Sequence, residues 1–360
     1  MFEQSLLLLQ THCCLSIPVL NQFSAIYLLD SSQVAVPTSM ITEYPATGGD
    51  GPKAGVKWQV LCEVLTGNLH HVLGQPAKQS DHRYRHYMDW VTAGSLILFD
   101  LGYVALPALQ QLVSRQVYFI CRWNLRFQAF TSEGEPFDLR AHLAALAATA
   151  TAVACSVPQV ELDLRVGVQV QLPLRVVAFH LPVAVCEQRR RRANATERKR
   201  GFAYTAEYKT MLDWNVYITN VGPEQLTGEQ VSRVYRLRWQ VELLFKLWKS
   251  EAELDNVRGK VSGRVLCEMY AKLIGLAVFG YLIAPVRLTD RELSAVQAWQ
   301  VLCRHIEKVG YALYAGARQA LQQALTLVYQ RWERYAQKQS RPDRPTTIRQ
   351  LQLQIVNSLT

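Results

Sequence analysis

The chain has 360 residues, 49% hydrophobic and 19% charged, a composition that excludes a largely disordered polymer. Its net charge of +10 favours an anionic partner, nucleic acid or a membrane surface. Its eight cysteines include no CxxC pair, which argues against a zinc site or a disulfide framework and for a reducing cytosol. The longest apolar stretch, 273–286, is short for a bilayer, so we expect a buried helix and no membrane partner.

Apolar runs separated by turn residues predict a mixed α/β layer in the first third of the chain. The predicted elements are, in order, a strand ending at Asp30, strands over 55–64 and 67–74, a helix over 81–94, a strand ending at Asp100, a helix over 105–116 and a strand over 117–123. Because ligand sites gather at strand ends in such sheets, Asp30 and Asp100 are candidate site residues.

The middle of the chain has a different residue pattern, with several β-rich runs between residues 122 and 220. Asp163 lies within one of these runs, and we expect it on the solvent face of a strand. The segment 188–200 carries seven Arg or Lys residues and is either a loop or the start of a basic helix. It could neutralise several phosphates, or it could simply be a solvated loop.

A helix is predicted to begin at Thr227, because Gln230 three residues later completes a capping-box pattern. At about 100° per residue, one side of this helix carries four polar residues within an arc of about 60°. These are Tyr235, Arg238, Glu242 and Lys249. An apolar stripe (Val234, Leu237, Val241, Leu244 and Trp248) is predicted to be buried beside them. For Arg238 and Glu242 a plain surface pair, worth about 0.2–0.5 kcal/mol, is the alternative.

The spacing of these four residues, Y-(2)-R-(3)-E-(6)-K, resembles the signature of bacterial DDE transposases of the insertion-sequence four group. The flanking LRWQVELLFKLWKS and YITNV, and LLDSSQV and DLGY around the two aspartates, are similar to that group in the same order. The resemblance implies a ribonuclease-H-like mixed α/β core with a β-rich insertion and C-terminal helices. The expected boundaries are 1–121 and 213–287 for the core, 122–212 for the insertion and 288–360 for the C-terminal helices.

The resemblance also implies the chemistry. Asp30, Asp100 and Glu242 would be catalytic carboxylates that together hold two Mg²⁺ or Mn²⁺ ions, with Asp30 bridging them. Such hard cations prefer carboxylate oxygens, and a pair of them suits cleavage of a phosphodiester. The histidines at 70, 71, 82 and 86 lack a convincing ligand pattern, and we assign them no metal.

Four further residues are expected to bind DNA near the cleaved end. The family resemblance implies this role for Tyr235, Arg238 and Lys249, and more weakly for Arg122. Lys57 is either a lysine at a strand edge or a cation directed at DNA. Trp239 either stacks on a base or packs against the insertion.

The implied enzyme is a transposase catalytic domain that cleaves DNA and transfers a 3′-hydroxyl to a target strand, as a homodimer on DNA. We expect it in the bacterial cytoplasm with the nucleoid. Only 29 residues precede Asp30 and they do not resemble a helix-turn-helix, so we expect the family's N-terminal DNA-binding region to be lacking. The alternatives are a truncated, inactive remnant that only binds DNA or dimerises as an inhibitor, and another metal nuclease of the same fold.

Overall fold

The structure is a computed structural model that describes residues 2–10, 14–49, 51–152, 159–288, 293–338 and 346–358. The chain divides into two compact units. Unit 1 comprises the described residues within 1–21, 26–80 and 237–360, and unit 2 comprises 22–25 and 81–236. Unit 2 is therefore an insertion in the sequence of unit 1.

The sheet of unit 1 is an antiparallel meander of three strands. They are β1 (Ile26–Ala35), β2 (Gly55–Glu63) and β3 (Leu69–Pro76), with β2 paired to both others. Every residue of β2 is buried, which suits its run of β-branched and aromatic side chains. Asp30 lies opposite Val60 in the β1–β2 register. The strands predicted over 55–64 and 67–74 are confirmed.

The other main elements described in unit 1 are α-helices. They are α1 (Phe2–Leu8), α7 (Trp239–Lys246), α8 (Ser262–Ile283), α9 (Ala295–Tyr314), α10 (Arg318–Tyr335) and α11 (Thr347–Ser358). A buried aromatic cluster joins α8 to the α9–α10 hairpin: the ring of Phe279 lies 5.3 Å from that of Trp299 and 6.1 Å from that of Trp332. The Trp332 indole also donates to the carbonyl of Ala298 at 2.8 Å. The predicted C-terminal helices are confirmed.

Helix α8 and the turn that follows it, Ser262–Val286, form one segment long and apolar enough to cross a membrane by length and composition alone. Core helices of soluble proteins pass the same test. Seven residues of α8 are buried within the protein, among them Met269, Leu273 and Phe279. The predicted helix is present, and it is buried in part.

Unit 2 contains a second set of paired strands. The strands β4 (Leu96–Phe99) and β5 (Tyr118–Arg122) are parallel and are connected through helix α2 (Leu106–Ser114). From β5 the order continues through β10 (Trp214–Thr219), β9 (Leu172–His180), β8 (Val160–Val166) and the short β6 (Ala129–Phe130) and β7 (Pro136–Phe137), all antiparallel. The mixed α/β class predicted from the sequence is confirmed.

The part of unit 2 between β5 and β10 is helical as well as β. Besides β6 to β9 it contains α3 (Leu139–Ala152), α4 (Val183–Arg200) and α5 (Ala206–Met211). The basic run that the sequence left as loop or helix belongs to α4. Asp163 is exposed within β8, as predicted.

Two predictions about local structure were wrong. The first strand does not end at Asp30 but continues to Ala35, because β2 is long enough to pair with the polar residues that follow. The helix predicted over 81–94 is replaced by two short 3-10 turns, Asp81–Arg83 and His86–Asp89. Side chains take the carbonyls that a helix would use: Arg85 donates to two of them, at 2.9 and 2.7 Å.

Candidate active site

Asp30 lies in the middle of β1, with its side chain 16% exposed. Its Oδ1 accepts a hydrogen bond from the Ser31 backbone at 2.8 Å. Because β1 pairs with β2 on both sides of Asp30, the backbone that carries this carboxylate is held in place. The other carboxylate oxygen of Asp30, Oδ2, contacts a residue far away in the sequence.

That residue is Arg238, whose guanidinium joins two of the predicted catalytic carboxylates. Its Nη1 lies 3.0 Å from Asp30 Oδ2, and its Nη2 lies 2.5 Å from Glu242 Oε1. The side chains of Arg238 and Glu242 are 19% and 32% exposed. A planar guanidinium can hold two carboxylates in a defined geometry, which a single point charge cannot. The structure thus brings Asp30 and Glu242 to the same cation within unit 1.

The helix carrying Glu242 begins as predicted but is not continuous. Thr227 and Gln230 form the predicted capping box at the start of α6 (Gly228–Tyr235). A 3-10 turn, Arg236–Arg238, then separates α6 from α7, and a π-helical turn, Leu247–Glu251, follows α7. Because 3-10 and π turns advance by different angles per residue, the single 100° projection does not hold across this segment.

The predicted apolar stripe along this segment is nevertheless largely right. Val234, Leu237, Val241 and Trp248 are buried, while Leu244 is half-buried. The apolar residues therefore anchor each short helical piece separately. The turn at Arg236–Arg238 places Arg238 at the first boundary between pieces, next to α7, where its guanidinium meets Glu242 one helical turn on.

Asp100 lies in unit 2 and follows β4 directly, as predicted. Its Oδ1 accepts a hydrogen bond from the Gly102 backbone at 2.8 Å and so caps the 3-10 turn Leu101–Tyr103. Tyr235 belongs to the same unit and is buried; its hydroxyl donates to the carbonyl of Phe99 at 3.3 Å. The hydroxyl that we expected to bind DNA is therefore hydrogen-bonded, within unit 2, to the backbone of Phe99, the residue that precedes Asp100.

The remaining predicted DNA-binding residues lie apart in the sequence and in different units. Lys249 is half-buried within the π-helical turn of unit 1. Arg122 ends β5 in unit 2, opposite Tyr217, and is also half-buried. Burial, and after it the positive charge of Arg122, lower the pKa of Arg189. The DNA-binding role of both residues stays a prediction.

The sequence offers two interpretations for each of two secondary candidates, Lys57 and Trp239. Lys57 is only 4% exposed, lies in the central strand β2 and donates to the carbonyl of Gln79 at 2.6 Å. The strand-edge interpretation was therefore wrong, because β2 has a partner on each side. Trp239, at the start of α7, is 56% exposed.

The contact between Arg238 and Asp30 is the feature of the site that sequence reasoning missed. The helical spacing indicated the Arg238–Glu242 pair, which is present. No local pattern could indicate a contact across 208 residues of sequence. The only available signal was chemical: an arginine beside one predicted metal-binding carboxylate is well placed to balance a second.

Among the described residues, no group of three or more His, Cys, Asp or Glu side chains is arranged to hold a metal ion. The donors that the structure does bring together in unit 1 are the carboxylates of Asp30 and Glu242. Both supply the hard oxygen ligands that Mg²⁺ and Mn²⁺ prefer. Both carboxylates contact the Arg238 guanidinium, so the site holds one positive charge between them.

The family model described as Transposase DDE domain matches residues 21–277 of this chain. The chain belongs to this family. The matched range includes all seven predicted site residues of this DDE-family chain, namely Asp30, Asp100, Arg122, Tyr235, Arg238, Glu242 and Lys249. The family resemblance predicted from the sequence is confirmed.

Curated relatives of this DDE-family chain are transposases of insertion sequences. Those of IS231E (Bacillus thuringiensis subsp. finitimus) and IS231F (Bacillus thuringiensis subsp. israelensis) are each 27% identical; the matches cover 84% and 94% of this chain. That of IS1151 from Clostridium perfringens is 23% identical over 82% of this chain. The chain spans 66%, 75% and 65% of the length of these three relatives.

One solved structure is also similar to this DDE-family chain. It is the cryo-EM structure of the piggyBac transposase synaptic complex with hairpin DNA. The TM-score is 0.41 and the sequence identity 9%, over 93% of this chain and 57% of that chain.

Proposed function

We propose that this chain cleaves DNA strands at the ends of a mobile element and joins the freed 3′-hydroxyl to target DNA. The observation that carries the proposal is the shared contact of Asp30 and Glu242 with Arg238. Two acidic residues 212 positions apart, each in a predicted signature, meet at one place in a chain that belongs to the transposase DDE domain family.

We further propose that Asp30 and Glu242 hold divalent metal ions, with Asp100 as the third ligand that the family resemblance implies. Mg²⁺ or Mn²⁺, two ions in all, is the proposed cofactor. When bound, such ions polarise the phosphate and lower the pKa of an attacking water. Arg238 orients both carboxylates and balances part of their charge before the ions arrive, so its guanidinium competes with them for the same oxygens.

The other site residues are proposed to position DNA. Lys249 and Arg122 would contact phosphates as cations. The hydroxyl of Tyr235 donates to the carbonyl of Phe99, the residue before Asp100. We propose that Tyr235 holds this part of the backbone in place when DNA is absent and contacts DNA when it is bound. The proposed substrates are the element's ends and target DNA, and the proposed place of action is the bacterial cytoplasm, with the nucleoid.

The experiment is nicking of supercoiled plasmid by the purified chain, with Mn²⁺ or Mg²⁺ against EDTA. Glu242→Ala is the test variant and Glu229→Ala the matched control, since Glu229 lies on the neighbouring helix and is exposed in a pair with Arg233. We expect metal-dependent nicking by the wild type and the control and none by Glu242→Ala. Equal nicking by all three proteins would remove Glu242 from the mechanism.

Strand joining needs its own assay, because a nuclease of the same fold would nick without joining. A labelled duplex with a free 3′-hydroxyl, incubated with plasmid, should become covalently attached to it in the presence of Mn²⁺. Nicking without attachment would favour the nuclease alternative.

We also propose that the chain acts as a homodimer, through the C-terminal helices. Helix α9 exposes Ile306, Leu313 and Tyr314, and Tyr314 is 92% exposed. Large apolar side chains of this kind are typical of partner surfaces. Light scattering of the wild type and of a Leu313→Ser/Tyr314→Ser variant, with and without DNA, tests the proposal: a dimer lost in the variant supports it, and unchanged assembly contradicts it.

A further inference from the structure

Helix α4 carries an unusual share of the charge of the chain. Its 18 residues include seven Arg or Lys and two Glu, a net +5 against +10 for the whole protein. None of the signature residues of the DDE family lies in it. Its charge therefore needs an explanation other than the carboxylate site.

The helix has a docked side and a solvent side. Cys186 and Ala193 are buried on the docked side. Arg189 donates to the carbonyls of Leu212 and Trp214, at 3.3 and 3.2 Å, and Arg190 pairs with Asp213. These two arginines hold α4 against the start of β10 and are occupied within unit 2.

The solvent side carries a basic stripe. At about 100° per residue its members fall within an arc of about 120°. They are Arg191, Arg192, Arg198 and Lys199, all of them exposed. Arg191 forms an exposed pair with Glu187, one turn earlier. Within the described part of the chain, Arg192, Arg198 and Lys199 have no ion-pair partner.

Helix stability does not account for the stripe. Basic residues in the last turn interact favourably with the helix dipole, which explains Arg198, Lys199 and Arg200 in part. Arg191 and Arg192 lie in the middle of the helix, beyond the reach of that effect. Like charges one turn apart are unfavourable by a few tenths of a kcal/mol each, so the stripe is better explained by a partner.

The chemistry of the surface between the cations distinguishes between two anionic partners. Gln188 and Ala195 lie there, and neither is a large apolar residue. A helix that binds a membrane surface pairs its cations with a broad apolar face, which this side of α4 lacks. The stripe from Arg191 to Lys199 is about 12 Å long. One DNA strand advances by about 3.4 Å along the duplex axis per phosphate, so this length corresponds to the axial rise of about three to four phosphates.

We propose that this basic stripe binds the sugar–phosphate backbone of DNA, without sequence preference, as a contact surface additional to the carboxylate site. The proposal rests on the proposed function only in taking DNA as the polyanion. Phosphate contacts of this kind position a protein on its substrate and do not read bases. The stripe would thus hold DNA against unit 2 whether or not cleavage takes place.

The test is DNA binding without metal. Anisotropy of a short labelled duplex of random sequence is measured in EDTA, from about 50 to about 200 mM salt. The test variant is Arg192→Gln/Arg198→Gln/Lys199→Gln, because glutamine keeps helix propensity. The control is Arg304→Gln/Lys308→Gln/Arg318→Gln, which removes the same charge from exposed positions of α9 and α10. Circular dichroism checks that each variant is folded.

We expect the test variant to bind at least about 10-fold more weakly at about 100 mM salt, with a log–log salt slope smaller by about 2 to 3. The control should stay within about 3-fold of the wild type. Equal losses in both variants, or an unchanged slope in the test variant, would overturn the proposal. The proposal would also be overturned if the test variant bound DNA as the wild type does but no longer bound vesicles containing phosphatidylserine. Absence of nicking by the wild type would contradict the proposed function and leave this result standing.

Discussion

Arg238 and Arg192 are the same residue in opposite surroundings. Arg238 is 19% exposed, and both ends of its guanidinium contact carboxylates. Arg192 is exposed on the outer side of α4, in a row of other cations. The difference shows that the sign of a residue's charge says little about its role: one arginine balances charge inside the protein, and the other is available to a partner outside it.

The largest effect should follow from removing the charge that Arg238 balances. We expect Asp30→Asn to lower plasmid nicking by about 100-fold or more, since metal stabilisation of phosphate charge is worth several kcal/mol. Asp163→Asn, on an exposed position of β8, is the control and should leave nicking unchanged. Nicking by Asp30→Asn at the wild-type rate would exclude this carboxylate from catalysis.

Removing the balancing cation should have a smaller effect, on stability. Arg238→Gln leaves two half-buried carboxylates without their shared donor, and we expect Tm without metal to fall by about 2–6 °C. Added Mn²⁺ should raise the Tm of this variant more than that of the wild type, because the guanidinium no longer competes for the oxygens.

Arg233→Gln is the control for that measurement, because Arg233 pairs with the exposed Glu229 and surface pairs contribute little. Its Tm should stay close to that of the wild type with and without Mn²⁺. If Arg238→Gln had the same Tm as the wild type, and the same rise in Tm on adding Mn²⁺, Arg238 would not balance the charge of the two carboxylates.

Neutralising the stripe should have the opposite pattern from Arg238→Gln. The three substitutions Arg192→Gln, Arg198→Gln and Lys199→Gln should weaken DNA binding. We expect them to leave Tm within about 1 °C, because they break no ion pair and the repulsion that they relieve offsets the helix-dipole interaction lost in the last turn. Differential scanning calorimetry in low salt measures this. A large drop in Tm would mean that these cations stabilise the fold.

The smallest effect concerns pH and the end of α4. The backbone of Tyr204 and the ammonium of Lys209 hold the pKa of Glu197 below its usual value of 4.5. A lowered folded pKa gives stability that is present above the unfolded pKa and is lost as pH falls through the folded pKa. Below about pH 4.5 the wild type should therefore lose slightly more Tm than Glu197→Gln. Parallel acid profiles for the two proteins would contradict this.

Much of the fold could be predicted from local sequence because apolar runs mark buried elements. The strands β2 to β5, the helix α2 and the apolar part of α8 are predicted in this way. Local reasoning failed where partners override pattern. Pairing with β2 extends β1 past Asp30 through Ser31 and Ser32, and Arg85 takes carbonyls that a helix would have used.

For the candidate site, the local positions of some residues could be predicted from the sequence, and the contacts between distant residues could not. The signature spacing indicated Glu242 and Arg238, and strand-end reasoning placed Asp100 correctly at the end of β4. The same reasoning misplaced Asp30 relative to its strand, and a regular helix could not anticipate the 3-10 and π turns on either side of α7. Interruptions of this kind depend on what each piece packs against, and that information is not local.

The insertion of unit 2 within the sequence of unit 1 has a consequence for synthesis on the ribosome. Asp30 emerges with the first strand, but Arg238 follows 208 residues later. At about 5–20 residues per second, translation takes about 10–40 s to cover that interval. The strands β1, β2 and β3 are thus synthesised long before Asp30 can contact Arg238. A nascent chain interrupted before residue 238 contains Asp30 but neither Arg238 nor Glu242.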